Sequence, residues 1–322
     1  MNNLKVLRGL PYLTMIVMLL TMACGGGGGE SSMEEEMQSL NEILQVGRQR
    51  AVNKENIDWD ALTVQVNDTY ANTGFEAAVR VFLAAMGDNQ SFYGRLSGAN
   101  IFSSEANCNS SGFGFGGLST DIGFIQMRTF VGSLAEATFF AGDRHNRART
   151  QDNADIRGWV VDLSTTNGGD LYAQIASLGM FFDRETLGYF INADEEVPWG
   201  FANGNAFLRR VGEARTVVTD PYTLMDPNGK LVVVIDLPTA GAGEAALIAL
   251  KDRPNTLVLG RPTCGLASVT ESFSLSNSDF LVLATHYIAD SDKETYTDRL
   301  QPDESIGNST DLVERIESFM NE

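Results

Sequence analysis

Apolar residues recur at helical spacing through the first third of the chain. Between residues 34 and 49, Met37, Leu40, Ile43, Leu44 and Val46 alternate with charged positions, which predicts an amphipathic helix. Within Asn53 to Leu62, the run Ile57-Asp58-Trp59-Asp60-Ala61-Leu62 predicts a second helix start. Phe75 to Met86 carries Ala77, Val79, Val81, Phe82 and Ala85 and predicts a further helix, which Gly87-Asp88 ends. Residues 94–118 are rich in Ser, Gly and Asn and predict a long loop or a β-hairpin region. Ile122 to Met127 is a short predicted strand, 133–149 a helix with a polar tail, and 151–156 a polar stretch.

From Arg157 the pattern changes to strand, helix, strand. Gly158-Trp159-Val160-Val161-Asp162-Leu163 is a nearly continuous apolar strand, Asn167-Gly168-Gly169 turns the chain, and Leu171 to Phe182 reads as helix. Leu231 to Leu237 is a second buried strand, Ala242 to Lys251 its helix, and Thr256 to Leu259 the next strand. Alternating β and α with fully apolar strands predicts an α/β core covered on its faces. Ser272 to Leu275 with Phe280 to Ala284 reads as a hairpin, and Asp311 to Met320 as a terminal helix. No repeat with a 20–50-residue period is present.

The 322 residues are 43% hydrophobic and 20% charged, which is ordinary for a globular chain large enough to need neither metal nor disulfide for stability. The net charge of −19 repels phosphate backbones and argues against a nucleic-acid partner. Lys5 and Arg8 precede an apolar stretch, Leu10 to Met22, too short to span a bilayer comfortably. It runs into Thr21-Met22-Ala23-Cys24, which resembles a bacterial lipobox, with Cys24 as the lipidated residue and 1–23 as the removed signal peptide. A plain secretory signal and an uncleaved anchor are the alternatives. Removal of 1–23 takes away Lys5 and Arg8 and no acids, leaving −21. Gly25 to Gly29 opens a flexible tether, 24–33, between a lipid and the folded body. The expected location is therefore the bacterial cell envelope, at the outer membrane or cell surface. Cys108 and Cys264 remain, and either a disulfide or two separate buried thiols is compatible with an oxidising envelope.

Two strand-to-helix turns stand out. One is Asp162-Leu163-Ser164-Thr165-Thr166-Asn167-Gly168-Gly169, the other Thr239-Ala240-Gly241-Ala242-Gly243-Glu244. Backbone N–H groups at such turns point into a common cleft and favour negative charge, so two together could stabilise an oxyanion. Either turn alone reads equally as glycines needed for positive φ.

Together with other segments they resemble the tail-specific (C-terminal-processing) serine protease family. Arg157 to Gly169 is similar to that family's "GWVVDLR-N-GG" strand and turn, and Leu231 to Asp252 to its strand and "T-A-S-A-G-E" helix start. Gly260-Arg261-Pro262-Thr263-Cys264-Gly265 resembles the "GxxTxG" loop, and Gln301-Pro302-Asp303 the terminal "PD". Ile57-Asp58-Trp59 and Gly87-Asp88-Asn89-Gln90-Ser91-Phe92-Tyr93 resemble the helical entry and "GDxHSFY" segment of the nisin-resistance-like branch. The likeness covers roughly residues 50–306. It implies a crotonase-like ββα core in residues 93–322 and an N-terminal helical subdomain in 34–92. Only about 30 residues separate Tyr93 from Ile122, too few for the PDZ domain many relatives carry there.

The chain departs from the family where the chemistry lies. The nucleophile position is Gly241, the His-base position Gln90, the Lys-base position of other branches Leu266, and the Arg of "DLR" is Ser164. Glycine has nothing to attack with, and an amide has no useful basicity near neutral pH. The resemblance then implies a pseudoprotease that binds peptides or protein C-terminal tails through the N–H groups of Gly168, Gly169 and Ala242. An active peptidase using a non-standard residue is the alternative. Cys264 would need a base or cation beside it, and Thr239 and Ser91 have no evident base. His145, in a polar helix end, reads as a surface residue, and His286 as lying beyond its strand, away from the motifs. Asp290-Ser291-Asp292 lacks calcium-loop spacing and reads as a turn. No metal or cofactor is expected.

Overall fold

Three helices lead the described chain, and local chemistry sets their ends. α1 (Met33–Arg50) opens on Glu34, Glu35 and Glu36 and closes on Arg48 and Arg50, so each end complements the helix dipole. Its buried stripe includes Leu40, Ile43, Leu44 and Gly47. At Gly47 a Cβ would stand 2.8 Å from the Phe82 ring, so glycine lets the helices touch. Asp58 caps α2 (Trp59–Thr73) by accepting from the Ala61 N–H at 3.0 Å. Gly87, in the left-handed conformation, ends α3 (Phe75–Met86). The computed structural model of the protein describes residues 33–96, 98–103, 108–209 and 214–322. The expected signal peptide 1–23, Cys24 and the tether up to residue 32 lie outside the described residues.

The remaining elements are β1 (Phe92–Gly94), β2 (Ile101–Phe102), β3 (Gly123–Gln126), α4 (Leu134–Gln151), β4 (Gly158–Asp162) and α5 (Leu171–Ser177). Then come β5 (Thr186–Ile191), β6 (Glu196–Ala202), β7 (Asn205–Leu208), β8 (Ala214–Val217), β9 (Lys230–Ile235) and α6 (Ala242–Lys251). β10 (Thr256–Gly260), β11 (Ser268–Ser274), β12 (Phe280–Asp290), β13 (Glu304–Ser305) and α7 (Ser309–Asn321) complete the chain.

Five strands form a parallel sheet in the order β13-β10-β9-β4-β3. Trp159, Val161, Leu231, Val233 and Ile235 face one layer, where they pack with Ile175 of α5 and Ala246 of α6. Val160, Val232, Val234 and Leu259 face the other, against Leu312, Ile316 and Met320 of α7. Both faces are covered, which is why these strands read as unbroken apolar runs. The second sheet is antiparallel, β2-β1-β12-β5-β6-β7-β8, with β11 added beside β12. The helices α1–α3 share a core with Tyr93, Ile101, Leu281 and Leu283 of this sheet.

The α/β expectation and the leading helices agree with this architecture. Between Phe182 and Leu231, where the hydrophobic pattern assigns nothing, four antiparallel strands appear. Gly188, Pro198 and Gly200 break the alternation there. The glycines answer tertiary contacts: a Cβ at Gly200 would meet the Glu185 carbonyl, and one at Gly188 the Ala289 carbonyl and the Trp199 ring. The helix expected to reach Phe182 stops at Ser177 and continues as a tight turn over Gly179–Phe181. The hairpin expected over 272–284 is longer at both ends.

His145 corrects the sequence expectation, because it is fully buried rather than on the surface. Its Nε2 lies 2.9 Å from the Ala176 carbonyl and its Nδ1 accepts the Tyr222 N–H at 2.9 Å, which defines the neutral tautomer. His286 lies within β12, with Nδ1 3.0 Å from the Thr285 hydroxyl. Burial holds both imidazoles below the ordinary value of 6.5. The folded state therefore binds fewer protons than the unfolded chain in the window below that value. Their contribution to stability is complete above about pH 6.5 and lost as the pH falls through the folded-state values. Urea unfolding at pH 7, 6 and 5 should show His145→Gln with a shallower loss than wild type, by up to about 1.4 kcal/mol per pH unit. Parallel slopes would show that His145 does not titrate on unfolding.

Candidate functional site

The C-terminal ends of β4 and β9 carry the two glycine turns, and backbone hydrogen bonds lock them together. Gly168 N–H donates to the Ala240 carbonyl at 2.9 Å, and Ala240 N–H to the Thr166 carbonyl at 3.1 Å. Asn167 and Ala240 thus extend the parallel pairing beyond the strands, as do Phe130 and Gly169 on the other side. This corrects one expectation: the Gly168 N–H is spent on holding the turns together and is not offered to a ligand. Among the described residues, no partner takes the N–H of Gly169 or of Ala242, the first residue of α6.

Geometry explains the glycines. Gly169 sits at φ 97 with the Phe130 carbonyl 2.3 Å from where a Cβ would be, so no other residue fits. Gly241 adopts φ 52 and ψ −109, a sharply bent conformation at the tip of α6 that costs an L-residue about 1–3 kcal/mol. Space is not the obstacle, because a Cβ there would meet only the Gly168 Cα, at 3.5 Å. The bent strand-to-helix tip with room for a side chain is the geometry of a nucleophile elbow.

Glu244, one turn into α6, organises the surroundings, a role that the sequence motif alone does not assign. It is fully buried. Its Oε2 accepts from the N–H groups of Gly241 at 3.1 Å and Leu266 at 2.7 Å, and its Oε1 from the Gly265 N–H at 2.8 Å and the Thr263 hydroxyl. Burial raises its pKa, and the four hydrogen bonds oppose that rise. The available signal was its spacing: a Glu three residues past a helix tip reaches back to the backbone there.

Leu266 in turn meets Gln90, whose Nε2 donates to the Leu266 carbonyl at 2.5 Å and contacts the Ser268 hydroxyl oxygen at 2.6 Å. Positions 241, 266 and 90, drawn from segments far apart in sequence, thus converge through one hydrogen-bonded chain. Asp88 supports it by accepting the N–H groups of Gln90 and Ser91 and the Ser91 hydroxyl. Ser164 is buried beside Gly112, and its N–H donates to Asp162 at 2.9 Å.

Cys108 and Cys264, for which the sequence allows either a bridge or two separate thiols, form a disulfide with Cα atoms 5.4 Å apart. The bridge packs on Ala240 and Leu266 and draws the 108–118 segment to the site. Ser110 then donates to Asp236, which also pairs with Arg261 at 2.8 Å. The remaining candidate nucleophiles are engaged elsewhere. The sulfur of Cys264 is in the disulfide, Thr239 Oγ1 donates to the Leu163 carbonyl, and Ser91 Oγ donates to Asp88.

The two glycine turns at the ends of adjacent parallel strands thus lie beside the tip of α6, and among the described residues the Gly169 and Ala242 N–H groups are unpartnered. The pattern of peptidase family S41 matches residues 121–306, more than half of the chain, and the chain belongs to that family. It is 24% identical over 170 residues to carboxyl-terminal-processing peptidase 2, chloroplastic, of Arabidopsis thaliana, covering 53% of this chain and 28% of that protein. The match to carboxyl-terminal-processing peptidase 3 of the same plant covers 57% of this chain and 32% of that one, so the chain spans about a third of these curated relatives. Its fold is that of a lipoprotein from Streptococcus agalactiae (TM-score 0.61, 15% identity, 91% of this chain and 99% of that). It is also that of the photosystem II D1 C-terminal processing protease (TM-score 0.57, 14% identity, 90% and 97%).

Two stability outcomes follow from the site. Glu244→Ala strands three backbone N–H groups and one hydroxyl, and should cost about 3 kcal/mol or more in urea unfolding. A loss under about 1 kcal/mol would mean that water replaces the carboxylate. The Cys108→Ser/Cys264→Ser pair opens a link across 156 residues, and should lower stability by about 3–5 kcal/mol in the same assay.

Proposed function

We propose that the protein is an envelope lipoprotein, anchored through Cys24, that binds extended peptides or protein tails on an S41 peptidase frame without cutting them. One observation carries the proposal: the helix tip that should bear the attacking hydroxyl is Gly241, in an open and correctly bent turn. The neighbouring base positions are an amide engaged with a carbonyl, Gln90, and an apolar chain, Leu266. Loss of the nucleophile in a serine protease lowers kcat on the order of 10⁶-fold, whereas oxyanion-type hydrogen bonding and substrate binding survive it. The free N–H groups of Gly169 and Ala242 are suited to a peptide carbonyl or a terminal carboxylate. No helix among the described residues is long and apolar enough to cross a membrane.

Purified protein should bind unstructured peptides in calorimetry while leaving casein uncut over hours. The Gly241→Ser/Gln90→His variant should hydrolyse casein faster than wild type, at a stability cost of about 1–3 kcal/mol from the bent turn. Absence of binding at millimolar peptide would remove the binding role. Wild-type turnover abolished by a single substitution at Ser91, Thr239 or Cys264 would show a working peptidase instead.

A further inference from the structure

A small cavity of about 80 Å³ opens between the end of α3, the loop after β10 and the C-terminal half of β12, and Gln90 and Gly265 form part of its wall. A single water needs roughly 10–15 Å³, so the cavity admits a few waters or the end of one side chain. Its position ties it to the glycine frame. The Gly265 and Gly241 N–H groups donate to one carboxylate, that of Glu244, so they lie within about 8 Å of each other. An extended peptide covers that distance in about two or three residues.

Charge sets the chemistry of the cavity. Among the described residues, Asp88 is the one charged residue on its wall. The Asp88 Oδ1 accepts the N–H groups of Gln90 at 2.8 Å and Ser91 at 2.6 Å, and its Oδ2 accepts the Ser91 hydroxyl at 2.8 Å. All three donors are neutral, and they fill three of the roughly four acceptor sites of a carboxylate. No Lys, Arg or His among the described residues pairs with Asp88, so its negative charge has no counter-ion. Tyr287, on the same wall, feels that charge. Burial, and then the Asp88 carboxylate, hold its hydroxyl above the ordinary value of 10.0.

Two cations stand nearby and outside the wall. Lys251 lies 5.0 Å over the Tyr296 ring and is paired with Asp252 at 2.9 Å. Arg299 passes Gly265, with its Cγ 3.1 Å from where a Cβ would be. Neither cancels the Asp88 charge. A half-buried carboxylate with an unused acceptor site, beside an aromatic ring, favours an incoming cation through a charge-assisted hydrogen bond and a cation–π contact. The net charge of −19 adds a long-range attraction of the same sign.

We propose that this cavity takes a cationic nitrogen group of the bound peptide, about two or three residues from the one over Gly241, with Asp88 as its counter-ion and the Tyr287 ring beside it. The inference rests on the peptide-binding reading above and names the class of peptide: basic near the frame. The cation can come from a Lys or Arg side chain or from the α-amine of the chain.

Calorimetry on the full chain with twelve-residue unstructured peptides tests this. In one N-acetylated set a single Lys moves along the last six positions, and a matched set carries norleucine in its place. A further norleucine peptide is left unacetylated. At one position Lys should bind about five- to tenfold tighter than norleucine, and the gain should shrink as salt is added. Asp88→Asn keeps an acceptor for the Gln90 and Ser91 N–H groups, removes the charge and should erase the gain. Thr297→Lys sets a tethered cation on the exposed rim of the cavity and should erase it too, without touching Asp88. A gain confined to the unacetylated peptide, and lost in both variants, would assign the cation to the α-amine.

Equal affinities for Lys, norleucine and the unacetylated peptide would overturn the cation site and leave peptide binding on the frame standing. No binding of any peptide at millimolar concentration would overturn the peptide-binding reading and the cation site with it. A Lys gain equal at all positions and unchanged in Asp88→Asn and Thr297→Lys would be general attraction to an acidic surface, and would overturn the cavity as its source.

Discussion

One buried carboxylate holds the site in a single piece. Glu244 accepts the N–H of the helix tip, two N–H groups of the loop after β10 and the Thr263 hydroxyl. A lone carboxylate without such donors would be costly at this depth, and four donors offset the cost. The consequence is geometric. The loop bearing Leu266 cannot move away from Gly241 without leaving the carboxylate unpaired, and through Leu266 the same constraint reaches Gln90. The disulfide repeats it covalently, drawing a segment 156 residues away to the same place.

The frame that results is made of backbone. Peptide N–H directions at Gly169 and Ala242 follow from the strand ends, the paired turns and the start of α6. None of these needs a side chain at 241. The bent turn at Gly241 is in fact more comfortable for glycine than for any residue with a Cβ. Glycine at 241 therefore carries the bend without strain, and the backbone geometry of the two turns does not depend on a side chain there.

The sequence by itself determined the elements whose signal is local. The periodic apolar stripes of α1 and α3, the unbroken runs of β4 and β9 and the glycine-marked turns that follow them could be read directly, because each depends on residues within a few positions of one another. The absence of a hydroxyl at 241 and of a basic group at 90 and 266 is likewise a matter of residue identity. Only the tertiary structure decided the rest. Strands β5–β8 hide behind glycines whose reason is a neighbouring carbonyl or ring supplied by another part of the chain. Burial of His145, pairing of Cys108 with Cys264, use of the Gly168 N–H and the role of Glu244 are all facts about partners remote in sequence. Whether a polar group is free or spent depends on what folding brings within 3 Å of it, and no local pattern encodes that distance.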